Sequence, residues 1–148
     1  MLGVAMAGHI NLVKLCVGAD SVEDLLDWHA QNRARWPAGQ TVHVTRMWPK
    51  RGAELLAGGS LYWVIRGTIL ARQRIVGLEE RPGEDGVLRC AIHLDATVLR
   101  TEPAPRRPFQ GWRYLPPAEA PRDLPAGRAS DDTLPRDLAL ALAEIGLR

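Results

Sequence analysis

Two β-type runs that can only lie against each other dominate the middle of the chain. Ile69 to Arg81 is a long run of strand character with Gly77 as an interior kink. Val87 to Leu94 then alternates, with Leu88, Cys90, Ile92 and Leu94 on one side and Arg89 and His93 on the other. Pro82-Gly-Glu-Asp-Gly86 between them is dense in turn formers, so the pair reads as an antiparallel hairpin whose alternation fixes the buried face. A Leu61–Arg66 run followed by Gly67 adds a strand in front of it. An antiparallel sheet is therefore the nucleus to which the rest of the chain must fit.

The flanks supply helices and further strands. His9 to Val17 is aliphatic and β-branched; Ile10, Leu12 and Lys14 fall on one face, and Asn11, Val13 and Leu15 on the other. Ser21, three residues before Asp24, is a capping signal for a helix running to about Arg35, with Val22, Leu25, Leu26 and Trp28 or His29 as its apolar stripe. Its acidic first turn and basic last turn both suit the helix dipole. Thr41 to Met47 reads as a strand with Val42 and Val44 on the apolar side. Pro49 suits the first turn of a short helix through Leu56 and Ala57, which Gly58-Gly59 ends. Thr101 to Tyr114, with three prolines and three arginines, is excluded from the centre of a sheet and is expected to lie extended over the surface. A Pro-rich connection follows, and Leu134 to Leu147 has the pattern of a closing amphipathic helix. The expected architecture is α+β: a curved, mainly antiparallel sheet or partly open barrel of five or six strands with flanking helices.

With 148 residues the chain suits one domain, taken as residues 9–148, and can bury a core without staples. Residues 1–8 read as a short extension, with Met6 an alternative translation start. Cys16 and Cys90 form no disulfide framework or metal spacing and read as small buried hydrophobes of a reducing, cytoplasmic compartment. No apolar window is long enough to span a membrane. His9, His29, His43 and His93 have no ligand spacing, so no metal is expected, and no nucleotide or nucleophile motif calls for a cofactor.

Charge is where function is legible. The net charge of +2 is uneven. Residues 41–115 hold twelve basic against seven acidic side chains, and both flanks are slightly acidic. Arg46, Trp48, Lys50 and Arg51 crowd a strand-to-helix turn, where free amides and cations suit an anion. Arg106, Arg107, Gln110, Trp112 and Arg113 interleave cations with aromatics, as single-stranded nucleic-acid binders do. Arg72 and Arg74 share one face of the long strand. Solvated turns and a loop pinned by Phe109 and Trp112 explain the same residues without a ligand. If both clusters converge, RNA or another phosphate-bearing ligand is the expected partner. A small hydrolase with its site beside Lys50, or a partner or homo-oligomer interface, are the competing readings.

The strings Val42-His-Val-Thr-Arg-Met-Trp-Pro-Lys-Arg51, Gly59-Ser-Leu-Tyr-Trp-Val-Ile-Arg-Gly67, Ala71-Arg-Gln-Arg-Ile75 and Arg106-Arg-Pro-Phe-Gln-Gly-Trp-Arg-Tyr114 resemble the bacterial domain-of-unknown-function 1489 family. The resemblance runs from about His9 onward and implies a small bacterial cytoplasmic protein, with no activity to transfer. In layout, Leu55-Leu-Ala-Gly-Gly59 before a strand and a long strand bearing Ile75-Val-Gly77 is similar to PUA-like and ASCH domains, which implies RNA or modified-base binding. Some ASCH-type relatives resemble amidohydrolases using lysine, threonine and glutamate. Lys50, Thr45 and Glu54 are of those types but depart in order and spacing, so no catalytic role is carried over.

Overall fold

The computed structural model describes residues 8–125. The expected C-terminal helix and the start at Met6 lie outside them. Within them run β1 (Asn11–Leu15), α1 (Val22–Asn32), β2 (Gln40–Thr45), α2 (Gly52–Leu56), β3 (Ser60–Ile65), β4 (Thr68–Pro82), β5 (Leu88–Asp95), β6 (Leu99–Pro105) and β7 (Trp112–Leu115). The strands make one mixed seven-stranded open sheet in the order β2-β5-β4-β3-β1-β7, with β6 also paired to β4. The fold is α+β, a curved and partly open sheet.

The long strand organises the rest. β3 lies along one edge of the first half of β4, while β6 and then β5 run end to end along its other edge. The β3–β4 turn is Arg66-Gly67, both at positive φ (52° and 80°), which is the backbone twist a two-residue hairpin requires. Near Gly77 the register slips, leaving Val76 as an extra residue in β4. Strict alternation would send Ile75 and Leu78 to opposite faces; the bulge lets both pack on the same core. β1 pairs with β3 in parallel and with β7 antiparallel, and β1–β3 is the one parallel pair among the described strands.

The concave face holds the main core: Ile10, Leu12, Leu61, Trp63, Ile75, Cys90, Ile92, Leu94 and Trp112, covered by Leu25 of α1 and Leu55 of α2. A smaller cluster on the opposite face joins Val13, Tyr62, Val64, Ile69 and Leu115, with Phe109 packed against it. α1 is capped as expected, Ser21 Oγ accepting the Asp24 N–H at 3.1 Å. Gly59 is required by closeness: a Cβ there would sit 2.0 Å from the Ile10 carbonyl oxygen and 2.8 Å from that of Leu55.

Several expected faces differ. α1 buries Val22, Leu25 and His29, and leaves Leu26 and Trp28 exposed. α2 buries Leu55 rather than Leu56, and begins at Gly52, not Pro49. In β2, Thr41 and Thr45 are buried while Val44 is exposed. Thr41 is polar but satisfied, its hydroxyl accepting from Gln73 at 3.0 Å, and this removes the desolvation cost that hydrophobic patterning assumes. Leu88 is exposed at the hairpin tip.

Candidate functional site

β7 is the joint between the two cationic segments. Its Trp112 indole donates to the Met47 carbonyl at 2.8 Å, and its Tyr114 hydroxyl accepts the Arg51 N–H at 3.0 Å. The Arg51 guanidinium lies 5.3 Å from the centre of the Tyr114 ring. Residues 46–51, between β2 and α2, are thus fastened to β7 by two side-chain-to-backbone bonds. Tyr114 also lines a shallow depression of about 520 Å³ with Arg106, Arg107, Phe109 and Arg113. The 46–51 turn and the β6–β7 loop therefore meet around one strand.

The cations flanking β7 are not equivalent. Arg51 forms a bidentate pair with Glu54 at 2.6 and 2.8 Å, and each partner holds the other in its charged form. Arg113 spends Nη1 on the carbonyls of Gln110 and Trp112 and lies 5.4 Å over the Phe109 ring, so it is braced without a carboxylate partner among the described residues. Arg46, Lys50, Arg106 and Arg107 have no carboxylate partner among the described residues. Gln110 is exposed beside them. The indoles differ as well: Trp112 is 5% exposed and shapes the face from within, whereas Trp48 is 41% exposed and offers a ring to solvent.

Arg72 and Arg74 do not extend the face. By strand order β4 is three positions from β7, roughly 14 Å at ordinary strand spacing. Arg72 is bound to both Asp123 oxygens at 2.8 and 2.7 Å and to Ser60 Oγ at 2.8 Å, a local clamp on the chain beyond β7. Arg74 is exposed on its own. Lys50 is exposed.

Sequence reasoning passed over a second group. Lys14 is only half-buried, but it sits on the inward phase of β1 with Ile10 and Leu12, in register with Trp63 and Trp112. Desolvation pulls its ammonium below the ordinary value of 10.5, only partly opposed by Cys16. Desolvation, reinforced by the nearby Lys14 charge, brings His43 down to about 4, so its ring is neutral at pH 7. His43 Nε2 is buried without a hydrogen-bond partner. Burial raises the Cys16 thiol to about 11, which leaves it protonated. The readable signal was a lysine in the phase of an otherwise aliphatic strand face.

The comparisons agree with the residues that carried the resemblance. The family model described as "Protein of unknown function (DUF1489)" matches residues 12–148. The chain belongs to that family. Its match takes in both cationic segments and the Lys14–His43 pair, so each is part of the DUF1489 domain rather than an appended tail. No curated protein and no solved structure matches the chain. Among the described residues no helix is long and apolar enough to cross a membrane.

Proposed function

We propose that the chain is a binding module for single-stranded RNA, held along the β7 edge. Arg46, Lys50, Arg106, Arg107 and Arg113 contact phosphates, and Trp48 stacks on a base. The observation that carries this reading is Tyr114, which fastens the 46–51 turn through the Arg51 amide and lines the depression with Arg106, Arg107 and Arg113. A shallow cationic face beside an exposed indole suits a flexible polyanion better than a compact substrate, because phosphate neutralisation and stacking need no enclosing walls. The resemblance in sequence layout to PUA-like domains favours the same reading. Two unpaired thiols and the resemblance to a bacterial family support a reducing compartment for the module.

The test is anisotropy of a fluorescent mixed-sequence RNA titrated across a salt series. Binding is expected at low salt, with affinity falling linearly on a log–log plot. Replacing Lys50 and Arg107 together by alanine should lower the slope by about 1.4, since each lost contact on a single strand removes ~0.7. Neither side chain takes part in an ion pair among the described residues, so the fold is expected to be retained. Undetectable binding at low salt would sink the reading.

A further inference from the structure

A pocket of about 330 Å³ opens between the end of β1 and the N-terminal half of α1. Its walls include Leu15, Val17, Leu25, Trp28 and Trp63, and its polar groups are Lys14, Cys16, Asp24 and His43. This is the size of a small ligand site, and it has the composition of one: mostly apolar, with a few polar groups. The polar groups are unusual in lacking partners. Lys14 makes no hydrogen bond or ion pair among the described residues, and His43 Nε2 is orphaned while buried. The buried His43 nitrogen costs stability, whereas the half-exposed Lys14 ammonium is left to solvent or to a ligand.

The remaining polar groups are accounted for internally. Trp63 Nε1 donates to Gln73 at 2.9 Å, so Trp63 presents only carbon surface to the cavity, and the His43 ring stands edge-on to it at 5.4 Å. The Asp24 carboxylate is exposed at the mouth and accepts the Asp20 N–H at 2.9 Å. Cys16 is a neutral thiol. The cavity therefore offers one cation without a counter-ion, one neutral imidazole with a free nitrogen, indole walls, and an acidic mouth.

We propose that this pocket binds a small flat monoanion, an aromatic carboxylate of about a dozen heavy atoms, with its carboxylate on Lys14 Nζ beside the His43 ring and its own ring against Trp63 and Trp28. The ammonium supplies a charge-assisted bond in a low-dielectric setting, where such bonds are strongest. The negative mouth turns the acid group inward, toward Lys14. The site is separate from the cationic face: it uses none of the same side chains, and it selects one charge rather than many.

Calorimetric titration with indole-3-carboxylate and its uncharged amide, indole-3-carboxamide, tests this. The carboxylate is expected to bind about tenfold more tightly or better. Lys14→Met, which keeps the apolar stem, should erase that preference while leaving RNA affinity at the β7 edge unchanged. Should Lys14→Met not fold, the Lys14 side-chain NMR titration of the unaltered protein decides instead: bound carboxylate must raise its pKa. Equal affinity for acid and amide, no binding of either at millimolar concentration, or a Lys14 titration indifferent to the acid would each overturn the proposal.

Discussion

The β7 edge and the pocket beneath α1 both present positive charge, under opposite physical conditions. At the edge, several cations stand in water, with their fields screened by salt over about 8–10 Å, and each is worth little alone. In the pocket one half-buried amine lies among indole and aliphatic walls, where a single charge counts for more and its desolvation has to be offset by a ligand. Number of charges therefore misleads as a guide to where recognition is strongest. The edge is suited to a long polyanion that sums many weak contacts, and the pocket to one small anion that pairs with a single ammonium.

The largest test of this contrast is acid. His43 titrates near its ordinary 6.5 when unfolded and at about 4 when folded, so the folded state resists taking up its proton. The unfolded chain binds more protons in that window, and stability rises with pH there. Stability is full above pH 6.5 and falls as pH drops towards 4, by about 3 kcal/mol for a shift of this size. His29, whose pKa burial also lowers, adds in the same direction. Urea unfolding at neutral pH and near pH 4 measures the loss, and His43→Phe should remove its larger part. If the variant is as acid-sensitive as the parent, the pocket is wetter than described and the contrast with the edge fails.

A smaller effect tests the wall behind the pocket. Gln73 is fully buried on β4; its carbonyl accepts from Trp63 Nε1, and its amide donates to Thr41 Oγ1 at 3.0 Å and to the Asp95 carbonyl at 2.8 Å. It ties β4 to β2, to the end of β5 and to the indole lining the cavity. Gln73→Leu fills the space but orphans those partners, with an expected loss of about 2 kcal/mol. Denaturant unfolding gives the loss, and exchange of the Trp63 indole proton should quicken. A neutral result would mean that water already reaches these groups.

How far residues alone disclosed this layout follows from which interactions are local. The Ser21 cap, the Pro82–Gly86 turn and the kink at Gly77 were legible, because each rests on neighbours within a few residues, whereas Leu99–Pro105 pairs with β4 as a strand although the segment from Thr101 was expected to lie extended over the surface. The parallel β1–β3 pairing was not, since 49 residues separate Leu12 from Leu61 and no local rule fixes that choice. Helix phase failed where apolar residues adjoin: Leu25–Leu26 and Leu55–Leu56 each offer two faces, and only tertiary packing selects the first of each pair. The site divided in the same manner. Arginines and tryptophans clustered in sequence were visible, whereas Lys14 and His43 come from strands far apart in the chain and meet only in the fold. The neutralisation of Arg72 by Asp123, 51 residues away, was equally hidden.

The smallest expected effect concerns the one edge cation that is already spoken for. Arg51 is half-exposed, and its guanidinium is held by both Glu54 oxygens, so a phosphate must compete with a bidentate carboxylate for it. Glu54→Gln keeps the side-chain shape and the backbone carbonyl that accepts from Ile10, but removes the negative charge. RNA affinity at low salt should then rise by roughly twofold to fivefold, and the log–log salt slope should steepen by about 0.7, one additional phosphate contact. Affinity for a small aromatic carboxylate in the pocket should not change, because Glu54 lies on α2 rather than among the cavity walls. A gain confined to RNA distinguishes an edge that sums its charges from one in which Arg51 is only a brace for the turn. If affinity falls instead, the Arg51–Glu54 pair orders the binding face, and rigidity there matters more than charge.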